Sequence, residues 1–479
     1  MIHSIWERRF LRSRVTSCAV KLPEMLIGYF IGPFFVMLIN GILVCYLTSY
    51  YSDILGFSNQ GQFLAAMMMI SAVLVVVANL VTGLLIDHFR TAQGRARPLI
   101  LISGPFTMIS GILVFAVPTG NEFLKLAWVA VSYNLFFAFA HAIYVTAHNS
   151  MVSLSTRDAH QRGMLSVCAG VVPAGSIGFA QIAFSLLRDY YLDIGAGGSQ
   201  ERWVAVMSVI AVIAFIGTLL EYYFTRERVT EEAGPITVDK KEEPATGEQV
   251  RAVLSDRYWW LLILVYLVFQ FCGVIKNQSM VYYCNFILGG DGIMAVLSAM
   301  AAIPMIAGTF VVWPLARRLG KRNLTMLGLL ISLLGGVACW LFPDSVWLAI
   351  VGLIIKGIGL IPITYTLLAM FADVLENLEW KHHLRADGFA MSVYSSIMLA
   401  MPSIVTGVLS FLLSVFQYNA ATHTTGPALN ALYVNCYYGA EIVGNVICFV
   451  LLLLYDLEKF MPARREEILL RRKKDSESC

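Results

Sequence analysis

Residues 225–256 read TRERVTEEAGPITVDKKEEPATGEQVRAVLSD, and this is the only long polar run in the chain. It mixes charges of both signs with two prolines and no aromatic residue. A segment so short and so polar cannot bury a core of its own, so 225–257 reads as a linker and not as a small soluble domain. What lies on either side then decides the architecture. Six apolar runs precede it, at 26–48, 62–86, 98–118, 125–152, 165–187 and 203–224. Six more follow, at 258–287, 292–316, 324–342, 345–372, 388–416 and 430–455. About 20 apolar residues carry a helix across hydrocarbon. The expectation is an all-α membrane protein with 12 transmembrane helices in two six-helix halves, 1–224 and 258–458, ending in a basic tail, 459–479.

Composition agrees. Of 479 residues 58% are apolar and 14% charged, and the mean hydropathy is +0.71. Soluble domains carry about 25% charged residues, so a water-facing surface of this size could not be covered. A soluble enzyme, a disordered scaffold and a nucleic-acid binder are excluded. Lys and Arg set the orientation. With both termini cytoplasmic, 29 of the 34 fall in the tails, the linker and the loops at 87–98, 153–164, 317–323 and 373–387. Three (Lys125, Arg188, Arg202) fall outside, and Lys276 and Lys356 lie within spans. The first run has no small-residue cleavage site behind it and reads as a retained span of a multi-pass protein of the cell (inner) membrane. Nine scattered cysteines form no close pair or Cys/His cluster, so no metal or cofactor is expected. No nucleophile–base pair suggests an enzyme.

The two halves repeat each other. LIDHFRTAQGRARP (85–98) follows span 2, and PLARRLGKRN (314–323) follows span 8, both short, basic and Gly-containing. This is the major-facilitator plan, in which solute is held at the midplane between the halves. Three motifs then carry a closer resemblance: Tyr50-Tyr51-Ser52-Asp53-Ile54-Leu55-Gly56; Asp87 to Pro98 (DHFRTAQGRARP); and Phe371-Ala372-Asp373-Val374 with Glu379-Trp380-Lys381 and Arg385-Ala386-Asp387-Gly388. In this order the chain resembles a divergent member of the glycoside–pentoside–hexuronide cation symporters, the melibiose-permease type. The resemblance implies a monomeric secondary transporter that moves a sugar or glycoside with Na⁺ or H⁺ by alternating access. The family's functional acids do not carry over. Its paired span-2 acids fall on Val75 and Asn79, its span-4 acid on Tyr144 or Val145, and its span-1 acid near Met37. Its span-5 arginine falls near Gly170 and its span-11 lysine near Leu399. The reading also expects no buried Asp or Glu in spans 2–6. A Na⁺ site of that type is therefore not expected, because an uncompensated ion is costly in low dielectric. Proton coupling, uncoupled transport and exchange stay open.

Ionisable and polar groups inside the spans are the site candidates. Lys276 in span 7 lies beside Asn277, with Gln270 a heptad before it; Lys356 and Tyr365 lie in span 10. Facing a cavity, the lysines would hold an anionic or hydroxylated group; otherwise they pair with Glu441 of span 12 or snorkel. Asn134, His141 and His148 are spaced by sevens along span 4, with Tyr144 near that stripe, and Asn40 lies in span 1. These would hydrogen-bond a hydroxylated solute or each other's helices. His141 and Glu441 are the candidate coupling groups, His141 because imidazole titrates near neutrality. Tyr282 and Tyr283 are read either as sugar-stacking aromatics or as part of the interfacial belt. Asp87, Arg90, Arg97, Asp158, Arg162, Asp373 and Arg385 are read as gating-loop residues that latch one conformational state. The expected partners are a small organic solute such as a sugar, glycoside or hexuronide, H⁺ as a candidate co-substrate, and the lipid bilayer. The competing reading is a non-transporting sensor or scaffold that kept the fold.

Overall fold

The computed structural model describes residues 8, 11–17, 19–88, 91–156, 158–192, 199–229, 246–382, 387–418, 426–464, 466, 467 and 470. Long helices follow the apolar runs: α1 Glu24–Ile54, α2 Gly61–His88, α3 Arg97–Leu113, α4 Glu122–Ser155, and α5, which begins at Ala159 and carries the apolar stretch Cys168–Leu192. They continue as α6 Gln200–Tyr223, α7 Arg257–Leu288, α8 Asp291–Leu319, α9 Lys321–Leu341, α10 Val346–His382, α11 Asp387–Val415 and α12 Pro427–Lys459. Among the described residues ten of these are long and apolar enough to cross a bilayer, while α3 and the Gly292–Ala301 part of α8 are shorter apolar helices. A short helix, Thr246–Leu254, precedes α7.

Ordinary helix chemistry sets the ends. Asn121, Asp158 and Asp256 accept N–H groups at the starts of α4, α5 and α7. Prolines inside α3, α5, α8, α10 and α11 are tolerated because neighbouring helices and side chains satisfy the freed backbone groups. Hydrophobicity is arranged for lipid and not for water. Along α2, Ile70, Val73, Val77, Leu80, Val81 and Leu84 are exposed on one face. The opposite face buries Ser71, Val75, Asn79 and Thr82. Such an apolar outer stripe is stable only against hydrocarbon.

Two compact units result. One comprises Met1–Val238 with Leu399–Thr424; the other comprises Asp239–Met398 with Thr425–Cys479. The later part of α11 thus groups with the first unit, where the Tyr133 and Ser403 hydroxyls are 2.7 Å apart and the Tyr418 hydroxyl donates to Asp53 at 2.8 Å. Within the first unit α1 and α6 cross at a reciprocal glycine contact. A Cβ on Gly32 would lie 2.8 Å from the Gly217 carbonyl oxygen, and one on Gly217 would lie 2.7 Å from that of Gly32. Within the second unit α9 and α10 approach in the same way at Gly328 and Gly359.

Candidate functional site

Lys276, Lys356 and Glu441 are the only ionisable Lys, Arg, Asp or Glu side chains in the six apolar runs of 258–455. The structure pairs two of them. Lys356 of α10 and Glu441 of α12, both almost fully buried, form an ion pair. The Lys356 ammonium also lies 5.0 Å from the Tyr438 ring centroid and 5.5 Å from that of Tyr437. A π-helical turn at Asn435–Gly439 carries both tyrosines. A buried charge needs its counter-charge, so Lys356 is occupied by Glu441 and not held ready as an open handle. Lys276, half-buried on α7, lies within electrostatic range of the same carboxylate. Gln270 and Asn277 on α7 and Tyr365 on α10 are half-buried as well. Tyr365 packs against Val312, Ala316, Leu324 and Ile361. Tyr282 and Tyr283 are not exposed aromatics. They are buried and stack on Tyr433 and Tyr437 of α12, with ring centroids 5.7 Å and 4.6 Å apart. A cavity of about 680 Å³ between α7, α9 and α12 is walled almost entirely by apolar side chains and includes none of the candidate binding residues.

In the first unit the stripe expected along α4 is broken. A π-helical segment, Leu135–His141, widens the turn and shifts the register between Asn134 and His148, so equal heptad spacing no longer means one face. Asn134 donates to the Ser71 hydroxyl at 2.9 Å. His141 is buried and stacks on Phe136, ring centroids 5.5 Å apart, with no hydrogen-bond partner at Nδ1. Asn40 of α1 is half-buried. Tyr144 and His148 both turn to Glu221 of α6: the Tyr144 hydroxyl donates to Oε2 at 2.5 Å, and His148 Nδ1 lies 2.7 Å from Oε1. All three side chains are buried. Glu221 corrects the expectation that spans 2–6 hold no buried acid. The glutamate inside the apolar run 203–224 was its signal, and only the Gly32–Gly217 crossing brings it against α1 and α4. Asp53, from the motif after span 1, was also missed as a hub. It accepts from the hydroxyls of Ser49, Ser52 and Tyr418 at 2.7, 2.6 and 2.8 Å, and Arg188 lies 3.6 Å away.

Among the described residues, Arg97 and Asp373 make contacts within their own units. Arg97 donates to the Tyr222 carbonyl at 3.0 Å and its guanidinium lies 4.6 Å from the Tyr222 ring centroid, tying the start of α3 to the end of α6. Asp373 pairs with Lys321 at 2.5 Å, joining α10 to α9. Asp158 is an exposed cap for α5. The side chains of Asp87 and Arg162, and residues Arg90 and Arg385 altogether, lie outside the described residues. Sequence reading passed over Glu227, which accepts the backbone N–H groups of Arg95, Ala96 and Arg97, each at 2.8 Å. Among the described residues no cluster of three His, Cys, Asp or Glu side chains could hold a metal ion.

Known proteins resemble this chain in sequence and in fold. The family model described as MFS/sugar transport protein matches residues 28–459. The isoprimeverose transporter of Lactiplantibacillus pentosus is 24% identical over 438 residues, covering 91% of this chain and 89% of that protein. The glucuronide carrier protein homolog of Escherichia coli (strain K12) is 23% identical over 78% of this chain and 80% of its own. In fold, a bacterial homolog of the human lysosomal transporter Spinster superposes with a TM-score of 0.61 at 15% identity, covering 93% of this chain and 98% of that one.

Proposed function

The chain belongs to the MFS/sugar transport protein family, and from that premise we propose that it carries a sugar, glycoside or hexuronide across a cell membrane by alternating access, with both termini cytoplasmic. One observation carries the choice of solute. The apolar runs of the second half hold two ammonium groups, Lys276 and Lys356, and one carboxylate, Glu441, which pairs with Lys356. The balance favours a solute with a negative group, as a hexuronide has, and the curated relatives include a protein named as a glucuronide carrier homolog. In this reading Lys276 meets the solute's charge, Gln270 and Asn277 meet its hydroxyls, and Lys356 holds Glu441 in place. The 29-to-3 partition of basic residues supports the orientation.

Purified protein in proteoliposomes, offered labelled isoprimeverose and a labelled glucuronide under an imposed Na⁺ gradient or an imposed pH gradient, tests the reading. Saturable uptake of the glucuronide, driven by the pH gradient and weakened by Lys276→Gln, is the expected result. Absence of saturable uptake of either solute overturns the reading.

A further inference from the structure

Glu221 is the only Asp or Glu within the six apolar runs of the first half. Two side chains meet its carboxyl oxygens. The Tyr144 hydroxyl donates to one oxygen, and His148 Nδ1 sits 2.7 Å from the other. When Glu221 is ionised it only accepts, and the hydrogen between the two groups then sits on His148 Nδ1. The ring is held further by Tyr144, which stacks on it with centroids 6.0 Å apart and 13° between planes. In that arrangement Nε2 carries the lone pair of the imidazole, and this buried atom has no hydrogen-bond partner.

The charged groups around the pair have partners of their own or face solvent. From α1, Glu24 is held by both terminal nitrogens of Arg228, at 2.9 and 2.7 Å, in the segment after α6. Also from α1, the Tyr29 hydroxyl bonds to Ser155. From α3, Arg97 is engaged by Gln93 and the Tyr222 carbonyl. From the start of α5, Asp158 is exposed and caps its own helix. An ionised Glu221 beside a neutral His148 is one buried negative charge at the α1–α4–α6 junction. A lone buried charge is costly, and a single cation relieves it. The packed side chains leave a proton as the cation that fits, since it needs no oxygen cage and no added volume.

We infer that the His148–Glu221 pair is the cation site of this transporter and that the cation is H⁺, taken up at Nε2 of His148. A hydronium ion of the aqueous phase gives up one proton, leaving water, and that proton adds to the Nε2 lone pair to give an imidazolium facing the Glu221 carboxylate; release returns the proton to water, and no bond of the protein other than Nε2–H changes. Tyr144 is a positioning residue that holds the carboxylate and the ring. The coupling role rests on the transport reading above, whereas the proton site itself does not.

Histidine-¹⁵N NMR of the full chain in lipid nanodiscs, from about pH 8.5 to 5, tests the site without any solute. The His148 resonance is assigned by His148→Gln or, should that variant not fold, by the shift that Tyr144→Phe causes. The expected result is protonation of His148 at Nε2 within that range, lost in Glu221→Gln. A His148 ring that stays neutral throughout overturns the site. Proteoliposomes with the labelled glucuronide test the coupling: His148→Gln and Glu221→Gln should lose accumulation driven by a pH gradient. Variants that accumulate like the parent overturn the coupling role. Absence of any uptake by the parent, alongside a titrating His148, counts against the transport reading and leaves the proton site standing.

Discussion

Lys356 and Glu441 show how one residue's role is set by its neighbour. In the sequence each is an isolated charge in an apolar run, and cavity-facing and paired arrangements are equally compatible with the spacing. In the structure they neutralise each other beneath two tyrosine rings. Breaking a buried pair by removing one partner typically costs about 3–5 kcal/mol, while exchanging both for apolar groups of similar volume is close to neutral. Lys356→Met alone and Glu441→Gln alone should therefore each lower the thermal midpoint in detergent sharply. The double variant Lys356→Met/Glu441→Met should recover most of that loss. Equal losses in the single and double variants would show that the pair is not the source of the stability.

At the scale of elements, packing between helices is set by small residues, and their spacing says little about which helix they meet. A Cβ on Gly328 of α9 would lie 2.4 Å from the Gly359 carbonyl oxygen of α10, and one on Gly359 would lie 2.4 Å from the Ser332 amide nitrogen. Backbone cannot swing aside as a long side chain can. Gly328→Ala should destabilise by about 1–3 kcal/mol, the usual effect of overpacking. Gly83→Ala on α2, where nothing lies within 4 Å, should be neutral or slightly stabilising because Ala favours helix by up to about 1 kcal/mol. Thermal unfolding of the two variants side by side reads the difference. Helix positions were legible from the apolar runs because bilayer thickness dictates their length. The register of polar groups along α4 was not, since the widened turn at Leu135–His141 depends on tertiary packing and leaves no mark in the hydropathy pattern.

Across the whole molecule the two halves repeat in their contacts as well as in their loops. In the first unit Glu227, just past α6, accepts three N–H groups at the start of α3, where Gly94 at φ +110° leaves no room for a side chain beside the carboxylate. In the second, Glu458 at the end of α12 accepts the N–H groups of Lys321 and Arg322 at the start of α9, at 2.7 and 3.0 Å. Arg97 reaches the Tyr222 carbonyl at the end of α6, and Arg322 likewise reaches the Leu452 and Leu453 carbonyls of α12. Each carboxylate satisfies helix-start donors that nothing else serves and complements the helix dipole. Glu227→Ala and Glu458→Ala should thus lower stability to a similar extent, about 1–3 kcal/mol each, as measured by thermal unfolding. A loss confined to one of them would break the equivalence. The sequence by itself determined the helical membrane architecture, the paired halves and the family, because these follow from apolar length, basic loops and motif order, all local along the chain. Only the tertiary structure decided that Lys356 serves Glu441, that Arg97 and Asp373 are tied within their own units, and that Glu221 meets His148. Those pairings join residues distant in sequence, and close helix crossings choose among partners that spacing alone leaves equal.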